Sequence, residues 1–315
     1  MKAIAIEQFG GQEVLKLVDL PVPDCGPGEV LVRVKAAGVN PVDWKIREGW
    51  LKEMLPHAFP LIPGWDVAGT VEAVGAGVQA WQVGDDVYAY ARKPTVQHGA
   101  YAEFITLDAA HVARKPANLT FEEAASVPLA ALTAWQSLFG PGQLKEKERV
   151  LVHAAAGGVG SFAVQLARNA GAEVFGTASA GNHAFLKELG ASLVIDYRAG
   201  DLADAVRQAA PDGLDLVYDC VGGPALEQSP AFLREGGRLV TIVDPEMAQR
   251  FSEQGVNASF VFVEPNADQL DLLRLQLEAG RLKTHLAAVF PLEEAAQAHA
   301  LIEQQHTRGK IVLTI

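Results

Sequence analysis

From residue 121 onward the chain alternates short apolar runs with amphipathic stretches. The apolar runs begin near Val150, Val174, Leu193, Leu214, Leu239 and Phe260, and stretches of helical spacing such as 159–169, 184–189 and 202–209 lie between them. Strands joined by crossover helices make a parallel, doubly wound sheet, so this part predicts an α/β fold of the dinucleotide-binding kind. The first part lacks that alternation and reads as β-rich. Residues 2–8 and 13–20 predict a hairpin around Phe9-Gly10-Gly11-Gln12. Further strands are predicted at 29–38, 68–74, 86–91 and 102–105, with 49–59 as a loop. The tail is mixed, with helices over 267–279 and 292–305 and a last strand over 310–315. No internal repeat or low-complexity linker is present. The expected organisation is therefore 1–130 as one domain, 131–264 as an inserted cofactor domain, and 265–315 as a return to the first.

The run Val150-Leu151-Val152-His153-Ala154-Ala155-Ala156-Gly157-Gly158-Val159-Gly160-Ser161 narrows the chemistry. It reads as a buried strand turning tightly into a helix, with Gly157 allowing close approach of a pyrophosphate and Gly160 allowing the helix to pack on the strand. The first glycine of the usual pattern is replaced by Ala155, so the spacing alone is a weak signal. Its context, a strand before and a helix and second strand after, strengthens it. In NAD-binding folds an acid about 20 residues past the glycines accepts from the adenosine ribose. Here that stretch is Ala178-Ser179-Ala180-Gly181-Asn182-His183, which contains no acid. Ser179 and Asn182 can donate to a 2'-phosphate, His183 adds charge when protonated, and Arg198, after Asp196-Tyr197, brings a guanidinium. NADPH is the favoured cofactor on these residues, and a plain polar surface loop is the alternative.

Composition sets limits on partners. The 315 residues are 49% hydrophobic, ample for packed cores. A formal charge of -12 argues against nucleic acid, which needs a basic face. No apolar stretch is long enough to span a bilayer, and residues 1–6 lack the long apolar stretch of a secretory signal, so no membrane partner and a cytoplasmic location are expected. Cys25 and Cys220 are too few and too far apart for a disulfide framework or a zinc knuckle.

Several segments, taken in order, carry a family resemblance: Pro27-Gly28-Glu29-Val30, Ala37-Gly38-Val39-Asn40-Pro41-Val42-Asp43, Pro63-Gly64-Trp65-Asp66-Val67-Ala68-Gly69, Val83-Gly84-Asp85-Asp86-Val87-Tyr88, Gly99-Ala100-Tyr101-Ala102-Glu103-Phe104 and Leu132-Thr133-Ala134-Trp135. The chain resembles the zinc-independent quinone oxidoreductases, zeta-crystallin-like members of the medium-chain dehydrogenase/reductases. The resemblance implies a GroES-like first domain, a Rossmann second domain and an active-site cleft between them. The positions matching the catalytic zinc ligands of related alcohol dehydrogenases are Asn40, Trp65 and Leu129, with Asp66 at the nearby acid, and the cysteines of the structural zinc lobe are absent. No metal site is expected.

Without a metal, the fitting chemistry is hydride transfer to an acceptor that is already polarised, a quinone or an α,β-unsaturated carbonyl. The resemblance implies that Asn40 is a donor near nicotinamide and substrate, with a turn residue before Pro41 as the alternative. It places Thr133 against the nicotinamide and takes Arg308-Gly309-Lys310 back to the cofactor, with a charged turn as the alternative. It also implies that the segment holding Phe262 lines the cleft and pairs with a second subunit, giving a homodimer. Lys45 stands where related enzymes often carry Tyr, and either polarises a carbonyl, reaches a thioester's phosphates, or is solvated. Asp43 and Asp66 read as structural, and Tyr101 is a candidate proton source beside solvent. The C-terminal ends of the strands add Val221 and Val243 to Ala156, Gly157, Gly158, Val159, Gly160, Ser179, Asn182, His183, Tyr197 and Arg198 as cofactor contacts. Three readings stay open: an NADPH-dependent quinone or enone reductase, an enoyl-thioester reductase, and a non-catalytic NADPH-binding protein.

Overall fold

The computed structural model describes residues 1–315. In chain order its elements begin β1 (Lys2–Ala5), β2 (Lys16–Asp19), β3 (Glu29–Val39), α1 (Pro41–Arg47), β4 (His57–Ile62), β5 (Asp66–Val74), β6 (Asp86–Tyr90), β7 (Val96–His98), β8 (Phe104–Asp108), β9 (Val112–Arg114), α2 (Phe121–Ala125) and α3 (Pro128–Phe139). Then come β10 (Arg149–Val152), α4 (Gly158–Asn169), β11 (Glu173–Thr177), α5 (His183–Leu189), β12 (Leu193–Ile195), α6 (Leu202–Ala209), β13 (Leu214–Asp219), α7 (Gly223–Gln228), β14 (Leu233–Thr241), α8 (Pro245–Glu253) and β15 (Asn257–Phe260). The chain ends with α9 (Ala267–Glu278), β16 (Leu286–Pro291), α10 (Ala295–Glu303) and β17 (Lys310–Thr314). The molecule divides into two units, Met1–Leu132 with Glu264–Ile315, and Thr133–Val263. No helix is long and apolar enough to cross a membrane.

The second unit is a six-stranded sheet in the order β12-β11-β10-β13-β14-β15. Every neighbouring pair in it is parallel. Its strands are covered on both faces, so they read as unbroken apolar runs: Val150, Leu151, Val152, Leu216 and Val217 are fully buried. Burying each such side chain is worth about 1.5–3 kcal/mol. The strand order reverses between β10 and β13, which puts the ligand crevice beyond their carboxyl ends. This is the Rossmann arrangement predicted from the apolar alternation.

The first unit is built on a seven-stranded sheet with the path β16-β17-β3-β5-β6-β9 and β8 pairing β3. β3 is its axis: Glu29 to Arg33 pair with β8, and Ala36 to Val39 pair with β17. Because Gly38 faces Asp66 and Val39 faces Ile311, three strand ends converge on Asn40, Asp66 and Lys310.

The structure corrects several predicted elements. The first hairpin is shorter, β1 with β2, because Ile6 leaves β2 to exchange two 2.9 Å backbone hydrogen bonds with Leu61, and a 3-10 turn over Gln12–Val14 fills the connection. The strand placed at 102–105 lies at Phe104–Asp108, since Ala102 makes only an isolated bridge with Ala3. The loop assigned to 49–59 ends in β4, which pairs with β7.

Candidate functional site

The turn between β10 and α4 carries the geometry a pyrophosphate needs. Ala154 takes a left-handed conformation (φ 51°), and Gly157 is the N-cap of α4 with no side chain to cap it, so the first-turn amides are not satisfied by a side chain. A Cβ placed on Gly157 would meet only the Ala154 carbonyl, at 3.3 Å, leaving an open cradle above the helix end. A Cβ on Gly160 would run into the Ala154 carbonyl and lie 2.7 Å from Ala155 Cα, so α4 packs on the strand only because residue 160 is glycine. The departure at Ala155 has a compensating glycine on the next strand. An ideal Cβ on Gly176 of β11 would fall 2.9 Å from the Ala155 methyl, which occupies that space instead. The residues present therefore fit a dinucleotide.

The neighbouring turns are held by buried acceptors. Asp219, fully buried, accepts from Val221 N (3.2 Å), Gly222 N (3.0 Å) and Thr241 Oγ1 (2.7 Å), while Val243 N donates to Thr241 Oγ1 at 3.2 Å. This leaves the Val221 and Val243 side chains 48% and 37% exposed at the carboxyl edge of the sheet. After β11, Asn182 donates to Ser179 Oγ at 3.3 Å, and His183 Nε2 is buried without a partner. The stretch read as acid-free is not so in space: Asp196 Oδ2 accepts from Ala180 N at 3.1 Å. Tyr197 is 47% exposed and its hydroxyl accepts from Arg198 Nε at 3.2 Å. His153 is structural. Burial lowers its pKa to about 4, and its ring joins Ser229 Oγ (3.1 Å) to Thr177 Oγ1 (3.3 Å).

In the first unit a buried polar network surrounds Asn40, the N-cap of α1. Asn40 N donates to Asp43 Oδ2 (2.8 Å), and its side-chain amide donates to Asp66 Oδ2 (2.9 Å) and accepts from Lys310 Nζ. Lys310 also donates to Asp66 Oδ2 (3.2 Å) and to Val39 O (3.3 Å), and Asp66 Oδ1 accepts from Leu129 N (2.6 Å) in the first turn of α3. Burial raises the pKa of Asp66, opposed by the Lys310 charge. Burial likewise raises Asp43 to about 7. Lys45 is half-buried in α1, where burial lowers its pKa, and its ammonium lies 5.9 Å from the centre of the Trp44 ring.

Comparison with known proteins shows the family of the chain. Residues 26–117 match the family model "Alcohol dehydrogenase GroES-like domain", and residues 189–313 match "Zinc-binding dehydrogenase". The quinone oxidoreductase of Mus musculus is 35% identical over 100% of this chain and 98% of its own length. The chloroplastic NADPH-dependent alkenal/one oxidoreductase of Arabidopsis thaliana is 34% identical over 99% of this chain and 79% of its own. The structure of the Escherichia coli quinone oxidoreductase complexed with NADPH superposes with a TM-score of 0.88 at 30% identity, covering 100% of both chains. The chain belongs to the quinone oxidoreductase family of medium-chain dehydrogenase/reductases. It is an oxidoreductase of that superfamily.

Of the site residues named from the sequence, Thr133, Ala156, Gly157, Gly158, Val159, Gly160, Ser179, Asn182, His183, Tyr197, Arg198, Val221, Val243 and Phe262 belong to the second unit, and Asn40, Lys45, Tyr101, Arg308 and Lys310 to the first. Two of these residues have their polar groups engaged within the first unit. Lys310, taken as a cofactor contact or part of a charged turn, is 5% exposed and commits its ammonium to Asn40, Asp66 and Val39 O, so its side chain positions Asn40. Tyr101, read as a proton source, is fully enclosed and donates to Asp43 Oδ2 at 3.0 Å; burial and the Asp43 charge hold its pKa well above the ordinary value. Asp196, Asp219 and the buried Arg47, which donates to Gly10 O, Glu48 and Glu303, were not singled out from the sequence. For the α1 region the sequence did hold a signal, Asn40-Pro41 followed by Asp43, the start of a capped helix with proline in its first turn.

Proposed function

We propose that the protein is a zinc-independent, NADPH-dependent reductase of quinones or α,β-unsaturated carbonyls. The observation that carries the reading is the open cradle at Gly157, at the reversal point of the parallel sheet, with first-turn amides of α4 aimed across it. NADPH supplies the hydride. Gly157, Gly158 and Val159 would receive the pyrophosphate, Ser179, Asn182, His183 and Arg198 the 2'-phosphate, and Thr133, Val221, Val243 and Phe262 the nicotinamide end. Asn40 is the donor the first unit offers to a developing oxyanion through the remaining N–H of its amide.

The donor set supports the zinc-independent reading. Asn40, Asp66 and the Leu129 amide do come together, but as an amide, one carboxylate and a backbone N–H, and the positive charge facing Asp66 is the Lys310 ammonium. No three His, Cys, Asp or Glu side chains are grouped to hold a metal. The same reading takes the protein as cytoplasmic, without a nucleic-acid partner, and as a homodimer paired through residues 260–263, which continue from β15 at the edge of the parallel sheet.

The test follows NADPH and NADH oxidation with a panel of quinones, enones and enoyl thioesters. Enoyl thioesters belong in it because Lys45 has no carboxylate within ion-pair reach and suits a carrier's phosphates. Acceleration by a quinone or enone is expected. Turnover of enoyl thioesters alone moves the assignment to a thioester reductase, and no turnover with any acceptor overturns the enzymatic reading.

A further inference from the structure

The residue that joins the turns after β11 and β12 is an acid. Asp196 Oδ1 accepts from Arg198 N at 2.9 Å, and its Oδ2 accepts from Ala180 N at 3.1 Å. The carboxylate thus sits against the backbone next to Ser179, in the turn after the second strand of the sheet, where a doubly wound fold receives the adenosine ribose. Along the chain that turn contains no acid; the fold supplies one from the neighbouring strand. The cation nearby is weakly placed to answer it. The Arg198 guanidinium lies 5.3 Å over the ring of Tyr197 with Nε on the Tyr197 hydroxyl.

We propose that Asp196 sets the margin of the nucleotide preference, weakening NADPH relative to NADH. This rests on the dinucleotide-binding reading above. The carboxylate opposes the 2'-phosphate, which carries about -1.5 to -2 charges, and does not repel the bare 2'-hydroxyl of NADH. Taking a separation of about 7 Å in a water-like dielectric, such a repulsion weakens binding by about four- to seven-fold, and salt screens it.

The test measures binding of two fragments by titration calorimetry, 2',5'-ADP, which carries the 2'-phosphate, and ADP, which does not. Asp196→Asn keeps an acceptor for one of the two backbone amides and removes the charge. It is expected to tighten 2',5'-ADP about four- to seven-fold at low salt, to leave ADP within about two-fold, and to lose most of the difference at high salt. Asp196→Glu, which disturbs the turn but keeps the charge, is expected to give no gain for 2',5'-ADP. The assignment is overturned if Asp196→Asn leaves the ratio of the two dissociation constants unchanged, including the case in which both fragments weaken together because the turn has loosened. A native protein that binds neither fragment sinks the dinucleotide reading itself, which is a different outcome from an unchanged ratio.

Discussion

Asp43 holds a charge that the fold disfavours, and Asp43→Asn removes that charge while keeping its contacts. The carboxyl is fully buried, and burial raises its pKa to about 7 against the two hydrogen bonds it accepts, from Asn40 N and Tyr101 Oη, and the more distant Lys310 charge. In the unfolded chain an aspartate titrates near about 4. Folded Asp43 therefore keeps a proton that the unfolded chain has released. Its contribution to stability is fully present below the unfolded pKa and is lost as the pH rises through about 7. At about 1.4 kcal/mol per pKa unit, the loss across this window is at most about 4 kcal/mol. In Asp43→Asn the carbonyl oxygen serves the same two donors, and the amide nitrogen takes the place of Oδ1, which has no partner. The buried NH2 adds a pH-independent penalty of about 1–3 kcal/mol, so the slope rather than the level is diagnostic. Urea unfolding followed by tryptophan fluorescence is the assay, because four of the five tryptophans, Trp44, Trp50, Trp65 and Trp81, lie in the unit that holds Asp43. The stability of the native protein relative to the variant should fall by about 1.4 kcal/mol per pH unit between about pH 5 and about pH 7, then level off. Parallel curves for the two proteins would refute the assignment of a raised pKa to Asp43.

The glycine turn separates binding from packing. Gly157→Ala should change stability by less than about 1 kcal/mol, since its Cβ meets only one atom within 4 Å, yet weaken ADP at least about ten-fold by calorimetry; equal affinity would remove the pyrophosphate from this turn. Gly160→Ala, whose Cβ runs into the Ala154 carbonyl, should lower stability by about 2 kcal/mol or more, read as a fall in the thermal midpoint. Lys310→Met leaves Asp66 buried without its cation and should cost about 3–5 kcal/mol in urea unfolding, and a loss below about 1 kcal/mol would mean that the ion pair is not isolated from water. Dialysis against a metal chelator should leave quinone-dependent NADPH oxidation unchanged, whereas activity lost and then restored by zinc would contradict the donor-set argument.

The parallel sheet was legible because burial on both faces forces unbroken apolar runs, and those runs are local in sequence. The seven-residue α1 was not, since four of its residues are buried and two of these, Asp43 and Arg47, are charged, which erases the apolar stripe that marks a helix. Buried charges read as surface until their partners are known, and the partners are remote. Arg47 meets Glu303 at a separation of 256 residues, and Lys310 meets Asp66 at 244. The family resemblance singled out Asn40 and Lys310, but their contact with each other and with Asp66 depends on β3, β5 and β17 ending side by side.

The cofactor turn shows the same limit in a sharper form. Ala155 breaks the usual glycine pattern, and by itself it weakens the match. The pairing of Val152 with Gly176 brings the next strand's glycine to the place where the extra methyl must go, so one glycine has in effect been moved across the sheet. Asp196 is the electrostatic counterpart: the stretch following β11 has no acid along the chain, yet the parallel pairing of β11 with β12 brings the turn after β12 alongside it, carboxylate included. Steric room and charge at a Rossmann crevice are therefore properties of adjacent strands taken together. The nucleotide preference of such a crevice depends on the charge that the neighbouring strand's turn brings alongside as well as on the residues of the first turn.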